Sequence, residues 1–419
     1  MSDATLATPL SLPCGQVLPN RLMKSALSES LATEANSPDI RLERLYTRWG
    51  AGGFGLVVTG NVLIDRAHLG EPGNVVIEDD RDLDSLTRWA KTTKDGGSPI
   101  WMQINHPGRQ ANPYATRAQP VAPSAVELKL PGLPAPRELT EAEIVDIIER
   151  FATAAQVAEA AGFDGVQIHA AHGYLVSQFL SPLSNLRTDG WGGDPQRRRR
   201  FLLEVLRRIR AVVSPGFAVG IKLNSADFQR GGFSEDESRA VVEHLIGEGV
   251  DLIEISGGSY ESQAMMGRPA AASTRAREAY FLDYAQTIRV AAGDIPLAVT
   301  GGFRTRAAMA DAVESRACDV VGLGRPTAVD PAVAAGLVAG TLDKVLTPSI
   351  GLPVPSALAT KPTVRALEGV LDLQWHTDQL HLMAAGKDPD PRRATWRTAI
   401  STVKRNGVDA FRSKRRGSR

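Results

Sequence analysis

This sequence has few cysteines, almost no net charge and no long apolar run, and each of these features argues against a class of protein. The 419 residues include only Cys14 and Cys318, too few for a disulfide framework or a four-cysteine iron–sulfur site. The formal net charge of +1 gives no electrostatic reason to expect nucleic acid as a partner. No run approaches the roughly 20 apolar residues that span a bilayer. Residues 1–9 show no basic segment followed by an apolar core, so we expect no secretory signal and a cytoplasmic location.

Short apolar runs alternate with helical patterns and predict the fold. Such alternation is typical of a parallel sheet covered by helices, and eight repeats favour a closed (β/α)8 barrel, a TIM barrel, within an α/β fold. The sequence G-x-G-x-x-G of doubly wound folds is absent between the first strand and helix. Thr140 and Glu143 form a capping-box pattern that starts one helix. The predicted strands are residues 21–27, 55–60, 100–105, 165–170, 218–224, 252–256, 296–301 and 319–324.

Two segments extend the predicted barrel, which we place in residues 1–340. Residues 10–18 alternate around a Pro-Cys-Gly centre, and this pattern predicts an N-terminal hairpin that forms a lid on the bottom of the barrel. Residues 341–419 form a predicted C-terminal extension, with helical periodicity over residues 364–385. From Lys404 the chain is strongly basic and is expected to be a solvated, partly disordered tail.

His169, His172 and Tyr174 follow the fourth predicted strand, at the end where barrels carry their functional groups. A three-residue spacing in a tight turn can place both imidazoles on one side. Two neutral N–H groups would then meet one oxygen atom, and the tyrosine would supply a proton beside them. Two other interpretations stay open at this point. A histidine that ends a strand is usually structural, and two histidines with a tyrosine also suit a metal, although H-E-x-x-H is absent.

Glycines at the ends of the last two predicted strands indicate a phosphate site. Gly301 and Gly302 follow strand seven, and Gly324 with Arg325 follows strand eight. Glycine lets backbone N–H groups approach an anion, arginine adds a forked cation, and these two loops are the usual phosphate position in this fold. The same glycines would also suit tight strand–helix turns, so the phosphate site is an expectation to be checked against the structure.

Lys222 lies inside the fifth predicted strand, where a charged group is costly to bury without a negative partner. The partner is either an anion in the site or a neighbouring carboxylate such as Glu254. A lysine in a phosphate-binding barrel also suits an aldolase or isomerase that forms a Schiff base without a flavin. Both alternatives stay open on the residues alone.

A set of short motifs follows in order between residues 10 and 326: residues 20–26, 103–109, 169–174, 178–182, 185–189, 192–193 and 197–201. In combination they resemble the Old Yellow Enzyme family, flavin-dependent ene-reductases that are also called NADH:flavin oxidoreductases. The resemblance implies a TIM barrel with FMN at the carboxyl ends of the strands, NADPH or NADH as hydride donor, and a small enone-type substrate. It also identifies the arginine run 197–200 as a helix start and not a nucleic-acid patch.

The resemblance also implies a role for each candidate residue. Hydride would pass to the β-carbon of an activated alkene while His169 and His172 hold the carbonyl oxygen and Tyr174 supplies the proton. Ser28 stands where many members have Thr or Cys, and Lys222 stands where many have Arg. The residues implied to hold FMN are Ser25, Ala26, Leu27, Ser28 and Gly60 at the ring edge, Gln103 and Lys222 at the pyrimidine end, and Gly301, Gly302, Gly324 and Arg325 at the phosphate.

We therefore predict an enzyme, an NAD(P)H-dependent flavin oxidoreductase of the ene-reductase type. The alternatives are a flavin-free phosphate-binding aldolase or isomerase, and a non-catalytic flavin-binding protein. Trp375 and Gln379 match longer relatives in which a C-terminal helix often packs subunits, so the resemblance also suggests a homo-oligomer. Neither nucleic acid, nor a membrane, nor a metal is predicted as a partner.

Overall fold

Eight parallel strands close into a barrel at the centre of the computed structural model, which describes residues 6–128, 134–257, 281–348, 350–351 and 362–405. Each strand pairs with its neighbours in chain order, and the eighth pairs with the first. The predicted (β/α)8 barrel is therefore confirmed. The barrel strands are Leu22–Lys24, Leu56–Val58, Ile100–Asn105, Gly165–Ala170, Ala218–Asn224, Leu252–Ser256, Leu297–Thr300 and Val320–Leu323.

The third to sixth strands have the predicted bounds, and the other four are shorter than predicted. The first was expected to reach Leu27 but ends at Lys24. The backbone N–H of Ser25 still donates to the carbonyl of Leu323 at 2.9 Å. Beyond that bond, Ala26 and Leu27 leave the ladder and line a cavity, so their apolar character serves the site and not the sheet.

Amphipathic helices cover the outside of the barrel. The capping box predicted at Thr140 is present, because its hydroxyl accepts from the N–H of Glu143 and the Glu143 carboxylate accepts from the N–H of Thr140. Asp194 caps a helix that starts at Pro195, two residues before the arginine run 197–200 that the resemblance identified as a helix start. The barrel helices are Ile40–Gly50, Leu83–Lys94, Glu141–Ala160, Pro195–Arg210, Glu235–Leu245, Leu282–Ala292 and Arg306–Glu314, and shorter ones are Gly108–Gln110, Pro113–Thr116, Leu175–Leu180, Pro326–Val329 and Val333–Ala339.

Apolar side chains fill the lower half of the barrel interior. Side chains alternate between the two faces of a strand, so Trp101 points inward while its neighbours Ile100 and Met102 pack against the outer helices. A Cβ atom added at Gly165 or Gly220 would lie within 2.9 Å of the Trp101 ring. The two glycines on the adjoining strands therefore make the room that this indole occupies.

The predicted N-terminal hairpin closes the bottom of the barrel. Its strands Leu10–Ser11 and Val17–Leu18 pair antiparallel. In the turn, the N–H of Cys14 donates to Asp251 at 2.8 Å, and the side chain of Gln16 donates to the carbonyl of Asp164 at 2.5 Å. Both acceptors lie just before barrel strands begin, which confirms the expected position of the hairpin.

The C-terminal extension contains the helices Pro362–Ala384 and Thr395–Arg405, and the first packs against Ile40–Gly50 and Pro326–Val329. The basic tail predicted from Lys404 lies outside the described residues from position 406. Among the helices described, none has the length and apolar character needed to cross a membrane. Short strand pairs complete the fold: Val62–Leu63 with Val75–Val76, and Val121–Ala122 with Arg137–Glu138.

Candidate active site

A cavity of about 580 Å³ opens at the carboxyl ends of the barrel strands. Its volume lies within the range of roughly 300–1,000 Å³ that is usual for ligand sites. Five predicted residues lie outside its lining, namely Ser28, Gly60, Gln103, His169 and Tyr174. The predicted residues that line it are Ser25, Ala26, Leu27, His172, Lys222, Gly301, Gly302, Gly324 and Arg325.

Glycines after the last two strands shape one end of this cavity. Gly301 and Gly302 have φ angles of +123° and +88°, a backbone region that residues with a Cβ atom rarely adopt. A Cβ atom at Gly322 would overlap the hydroxyls of Thr300 and Ser25, which bond each other at 2.7 Å. The turn at Gly301 and Gly302 therefore requires glycine for its conformation, and Gly322, inside the eighth strand, is required for space. Both turns line the cavity together with Arg325.

A chain of polar side chains crosses the barrel above the apolar layer. Gln103 donates to Gln167 at 2.7 Å, and Gln167 donates to Glu254 at 2.8 Å. The ammonium of Lys222 lies 2.9 Å from the other oxygen of Glu254. The carboxylate partner considered for Lys222 is therefore present, and Lys222 still lines the cavity.

His169, His172 and Tyr174 come together at the end of the fourth strand. The ring centroid of His169 lies 5.1 Å from that of His172 and 4.7 Å from that of Tyr174. The N–H of Ala171 donates to Nδ1 of His169 at 3.2 Å, so the ring proton of neutral His169 is on Nε2. His172 Nε2 lies 2.8 Å from the hydroxyl of Ser256. The three side chains therefore lie together, and the Nε2–H of His169 has no backbone acceptor in the part of the chain that the structure describes.

Both imidazoles are uncharged near neutral pH. Burial, together with the neighbouring His172 and Lys222, lowers the pKa of His169 well below its ordinary value of about 6.5. Burial and Lys222 lower the pKa of His172 in the same way. Two neutral rings can therefore donate hydrogen bonds without placing positive charge in the site.

His172 is held in an unfavourable backbone conformation. Its φ angle is +60°, which costs a residue with a side chain about 1–3 kcal/mol. Its N–H donates to Asn224 at 3.1 Å and its carbonyl accepts from Gln110 at 3.0 Å, so two other elements fix the turn. Gly173 follows with φ +74° and continues the sharp bend. The sequence pattern assigned this supporting role to neither Asn224 nor Gln110.

Two asparagines at strand ends, to which the sequence interpretation gave no role, adjoin the cluster. Asn61 donates to the Tyr174 hydroxyl at 3.3 Å, and its own carbonyl oxygen is buried without a hydrogen-bond partner in the described part of the chain. The side-chain amide of Asn105 is likewise buried and unpaired among these residues. By strand alternation Asn105 shares the inward face of Gln103. Position at a strand end is the one signal that could have identified them.

Gly60 is bonded to a buried ionic network around Glu29, the residue that follows Ser28. The N–H of Gly60 donates at 2.9 Å to Glu29, which also accepts from the Tyr46 hydroxyl. Lys24 lies 3.9 Å from the same carboxylate, and burial lowers the pKa of Lys24 to about 8. The Ser28 hydroxyl is buried and has no partner within the described ranges. Gly60 is thus fixed by Glu29, while Ser28 offers an unused hydroxyl.

One cluster elsewhere has the composition of a metal site. Asp65, His68 and His106 bring their ligand atoms within 4.8 Å of one another, and they form the sole such group of three among the described residues. The N–H of Gly108 donates to Nδ1 of His106, which leaves the ring proton on the nitrogen that faces Asp65. Asp65 also accepts from the N–H of Ala67. The cluster is therefore arranged as donors around a carboxylate.

The C-terminal extension supplies a wall of the cavity that sequence reasoning assigned to no site. His376 lines it, and Asp372 pairs with Arg325 at 2.9 Å. Both lie on the helix Pro362–Ala384, far along the chain from the barrel strands. No local pattern marks such a contact.

Comparison with known proteins assigns the family. A model of the NADH:flavin oxidoreductase / NADH oxidase family matches residues 5–342. The chain is 39% identical over 354 residues to the NADH-dependent flavin oxidoreductase iliE of Hypocrea jecorina (strain QM6a), covering 79% of this chain and 88% of that protein.

Solved structures agree. Morphinone reductase in complex with tetrahydroNAD aligns with a TM-score of 0.67 and 27% identity, covering 82% of this chain and 93% of that one. The Old Yellow Enzyme homologue from Zymomonas mobilis shares the fold, with a TM-score of 0.69 and 23% identity over 81% of this chain and 94% of that one. The chain therefore belongs to the NADH:flavin oxidoreductase / NADH oxidase family, that of the Old Yellow Enzymes, and is an NAD(P)H-dependent flavin oxidoreductase.

Proposed function

We propose that this enzyme is an FMN-dependent ene-reductase that reduces the activated C=C bond of α,β-unsaturated carbonyl compounds with NADH or NADPH. The observation that carries the proposal is the cluster of His169, His172 and Tyr174 at the end of one barrel strand. Two uncharged imidazoles beside a phenol hydroxyl suit a substrate whose carbonyl oxygen gains negative charge while a nearby carbon takes a proton.

The residues present fit FMN. The Ser28 hydroxyl, which has no hydrogen-bond partner among the described residues, and the Gln103 amide would bond polar ring atoms, and Lys222 supplies a cation on the lining. Ser25, Ala26, Leu27 and Gly60 would complete the ring site. The turns at Gly301 and Gly302, with Gly324 and Arg325, would hold the phosphate through N–H groups and the guanidinium.

The chemistry supplied by bound FMN is hydride transfer from the nicotinamide to the substrate. When hydride adds to the β-carbon, the π electrons of the alkene move toward the carbonyl oxygen. Donors on His169 and His172 stabilise that oxygen more strongly as its charge grows, which lowers the barrier. Tyr174 delivers a proton to the α-carbon and regains one from water. The substrate gains a hydride and a proton, and NAD(P)H becomes NAD(P)⁺.

The flavin-free aldolase or isomerase is not supported, because the chain belongs to a flavin oxidoreductase family. A Schiff-base lysine must also attack as a free amine, whereas Lys222 is in an ion pair with Glu254. The non-catalytic alternative also has no support, since the iliE protein is an oxidoreductase by name.

Spectra and turnover test the proposal. The purified protein should carry a yellow chromophore that mass spectrometry identifies as FMN, and it should oxidise NADH or NADPH when given 2-cyclohexenone. Changing His169 and His172 together to Ala should weaken the binding of p-hydroxybenzaldehyde and lower enone turnover by about 10²–10³ or more, since each lost donor costs that order. His244→Ala, on the remote helix Glu235–Leu245, is the matched control. Protein without flavin, or unchanged phenol affinity in the double variant, contradicts the proposal.

A further inference from the structure

The helix Pro362–Ala384 reaches from the C-terminal extension to the glycine end of the cavity. Two of its polar residues are almost fully buried there, with Asp372 exposed by 7% and His376 by 5%. Burial of a carboxylate and an imidazole on a surface helix is costly unless each has a partner. Each of the two residues has a partner at the cavity.

Asp372 forms an ion pair with Arg325. Its carboxylate lies 2.9 Å from a guanidinium nitrogen of Arg325, which is the second residue after the eighth barrel strand. The Arg325 side chain is 43% exposed, so without this contact it would be free to leave the cavity. One guanidinium nitrogen is engaged by Asp372, and the fork geometry of arginine leaves other donors for an anion.

His376 faces the same space. Its Nδ1 lies 2.8 Å from the carbonyl of Asp372, one helical turn earlier, and donates its proton there. A phosphate dianion beside Nε2 favours the imidazolium form, in which Nε2 also carries a proton and donates to a phosphate oxygen. Arg325, Thr347, Gly302 and Gly324 line the cavity with it. An imidazolium, a guanidinium and the backbone N–H groups of glycines are all donors that suit a phosphate group.

We propose that the C-terminal helix completes the cofactor's phosphate site, with His376 binding the phosphate of FMN directly and Asp372 acting as a positioning residue that holds Arg325 toward it. This inference rests on the proposed use of FMN. The sequence interpretation had assigned the phosphate to the barrel loops alone, through Gly301, Gly302, Gly324 and Arg325. The inference extends the phosphate site to the C-terminal helix.

Comparison of FMN with riboflavin, which has the same ring and no phosphate, tests the inference. Flavin is removed from the full-length protein, and each flavin is titrated back while its fluorescence quenching is followed. His376→Ala should weaken FMN binding by roughly 10- to 100-fold, the loss expected for one hydrogen bond to a charged group, and should leave riboflavin affinity unchanged. Asp372→Asn should also weaken FMN selectively. Thr377→Ala is the control, because Thr377 is the next residue and its hydroxyl bonds within the helix to Leu373.

Other outcomes are equally informative. Equal losses for FMN and riboflavin in His376→Ala would mean a merely structural role, and unchanged FMN affinity would remove His376 from the site. If His376→Ala does not fold, His376→Leu, which fills the space and has no N–H donor, takes its place with the same expected loss for FMN alone. Inorganic phosphate should raise the melting temperature of the flavin-free wild type, and at the same concentration it should raise that of the His376 variant less. If the wild type binds neither flavin, the proposed function fails, and if it binds both equally, the phosphate site fails.

Discussion

At the scale of single residues, the Tyr174 hydroxyl separates the two halves of the proposed reaction. It is needed for protonation of the substrate and not for taking hydride from the nicotinamide. Tyr174→Phe should therefore leave flavin reduction by NADH near the wild-type rate and slow flavin reoxidation by an enone by about 10²–10⁴. Stopped-flow absorbance follows each half-reaction separately. An unchanged reoxidation rate would show that another group, or water, supplies the proton.

The two histidines also predict a pH dependence of stability. In the folded protein their pKa values lie well below the ordinary value, while in the unfolded chain they return to about 6.5. As the pH falls below about 6.5, the unfolded state binds more protons than the folded state, so the free energy of unfolding decreases. Above about 6.5 these two groups contribute no slope. Stability is lost at acidic pH because the folded protein keeps both rings neutral while the unfolded chain protonates them.

A double variant isolates this effect. His169→Asn with His172→Asn removes both titrating groups, and asparagine tolerates the positive φ of position 172. Urea unfolding at pH 5, 6, 7 and 8 should show a shallower loss of stability on acidification than in the wild type. Parallel curves for the two proteins would mean that other groups cause the acid sensitivity.

At the scale of elements, the capping box of helix Glu141–Ala160 gives a local test of stability. The Thr140 hydroxyl accepts from the N–H of Glu143, a donor that the helix itself leaves unpaired. Thr140→Ala should lower the free energy of unfolding by about 1 kcal/mol, seen as a lower urea midpoint. Thr140→Ser keeps the oxygen and should stay near the wild type. If both variants fall equally, the loss comes from the methyl group and not from the cap.

The same element shows which features of the fold a sequence can reveal. Apolar periodicity and the Thr140 pattern are local, and both predicted the helix correctly. Alternation along a strand is also local, so it places Trp101 and Gln103 on one face. Where segments far apart in the chain meet, no local pattern exists. Asp372 lies 47 residues beyond Arg325, and this separation hid the contact.

The partner of Lys222 could be predicted only in part from the sequence. Its strand and the next were recognisable as neighbours, so Glu254 could be named as a candidate from strand order. Choosing between Glu254 and a ligand anion required the register, which pairs Lys222 directly with Glu254. In the structure Lys222 is in an ion pair with Glu254 and also lines the cavity. The two alternatives, a carboxylate partner and a position in the site, therefore hold together.

At the scale of the whole molecule, the barrel is layered from bottom to top. The hairpin covers an apolar layer around Trp101, the polar chain from Gln103 to Lys222 lies above that layer, and the site lies at the carboxyl ends. This order separates groups that hold the barrel closed from groups that act on ligands. A change at the bottom should therefore alter stability without altering the site.

Asp251 is the residue at the bottom that tests this separation. It is 2% exposed and accepts from the N–H groups of Cys14 and Val219 at 2.8 and 2.7 Å, and it pairs with Arg210. One carboxylate thus joins the hairpin, the fifth strand and a helix. Asp251→Asn removes the charge that these three donors share and should lower the free energy of unfolding by about 3 kcal/mol, the order found when one partner of a buried ion pair is lost.

Thermal unfolding should show this loss as one shift of the whole protein. Tryptophan fluorescence and flavin release should move together to a lower temperature in Asp251→Asn, because the hairpin closes the same barrel that carries the site. Flavin affinity at 25 °C should stay at the wild-type value. Asp236→Asn is the control, since its carboxylate pairs with Arg239 on the surface and the Asp236 side chain is 91% exposed. If tryptophan fluorescence shifts while flavin release does not, the bottom and the site unfold separately and the barrel is not a single cooperative unit.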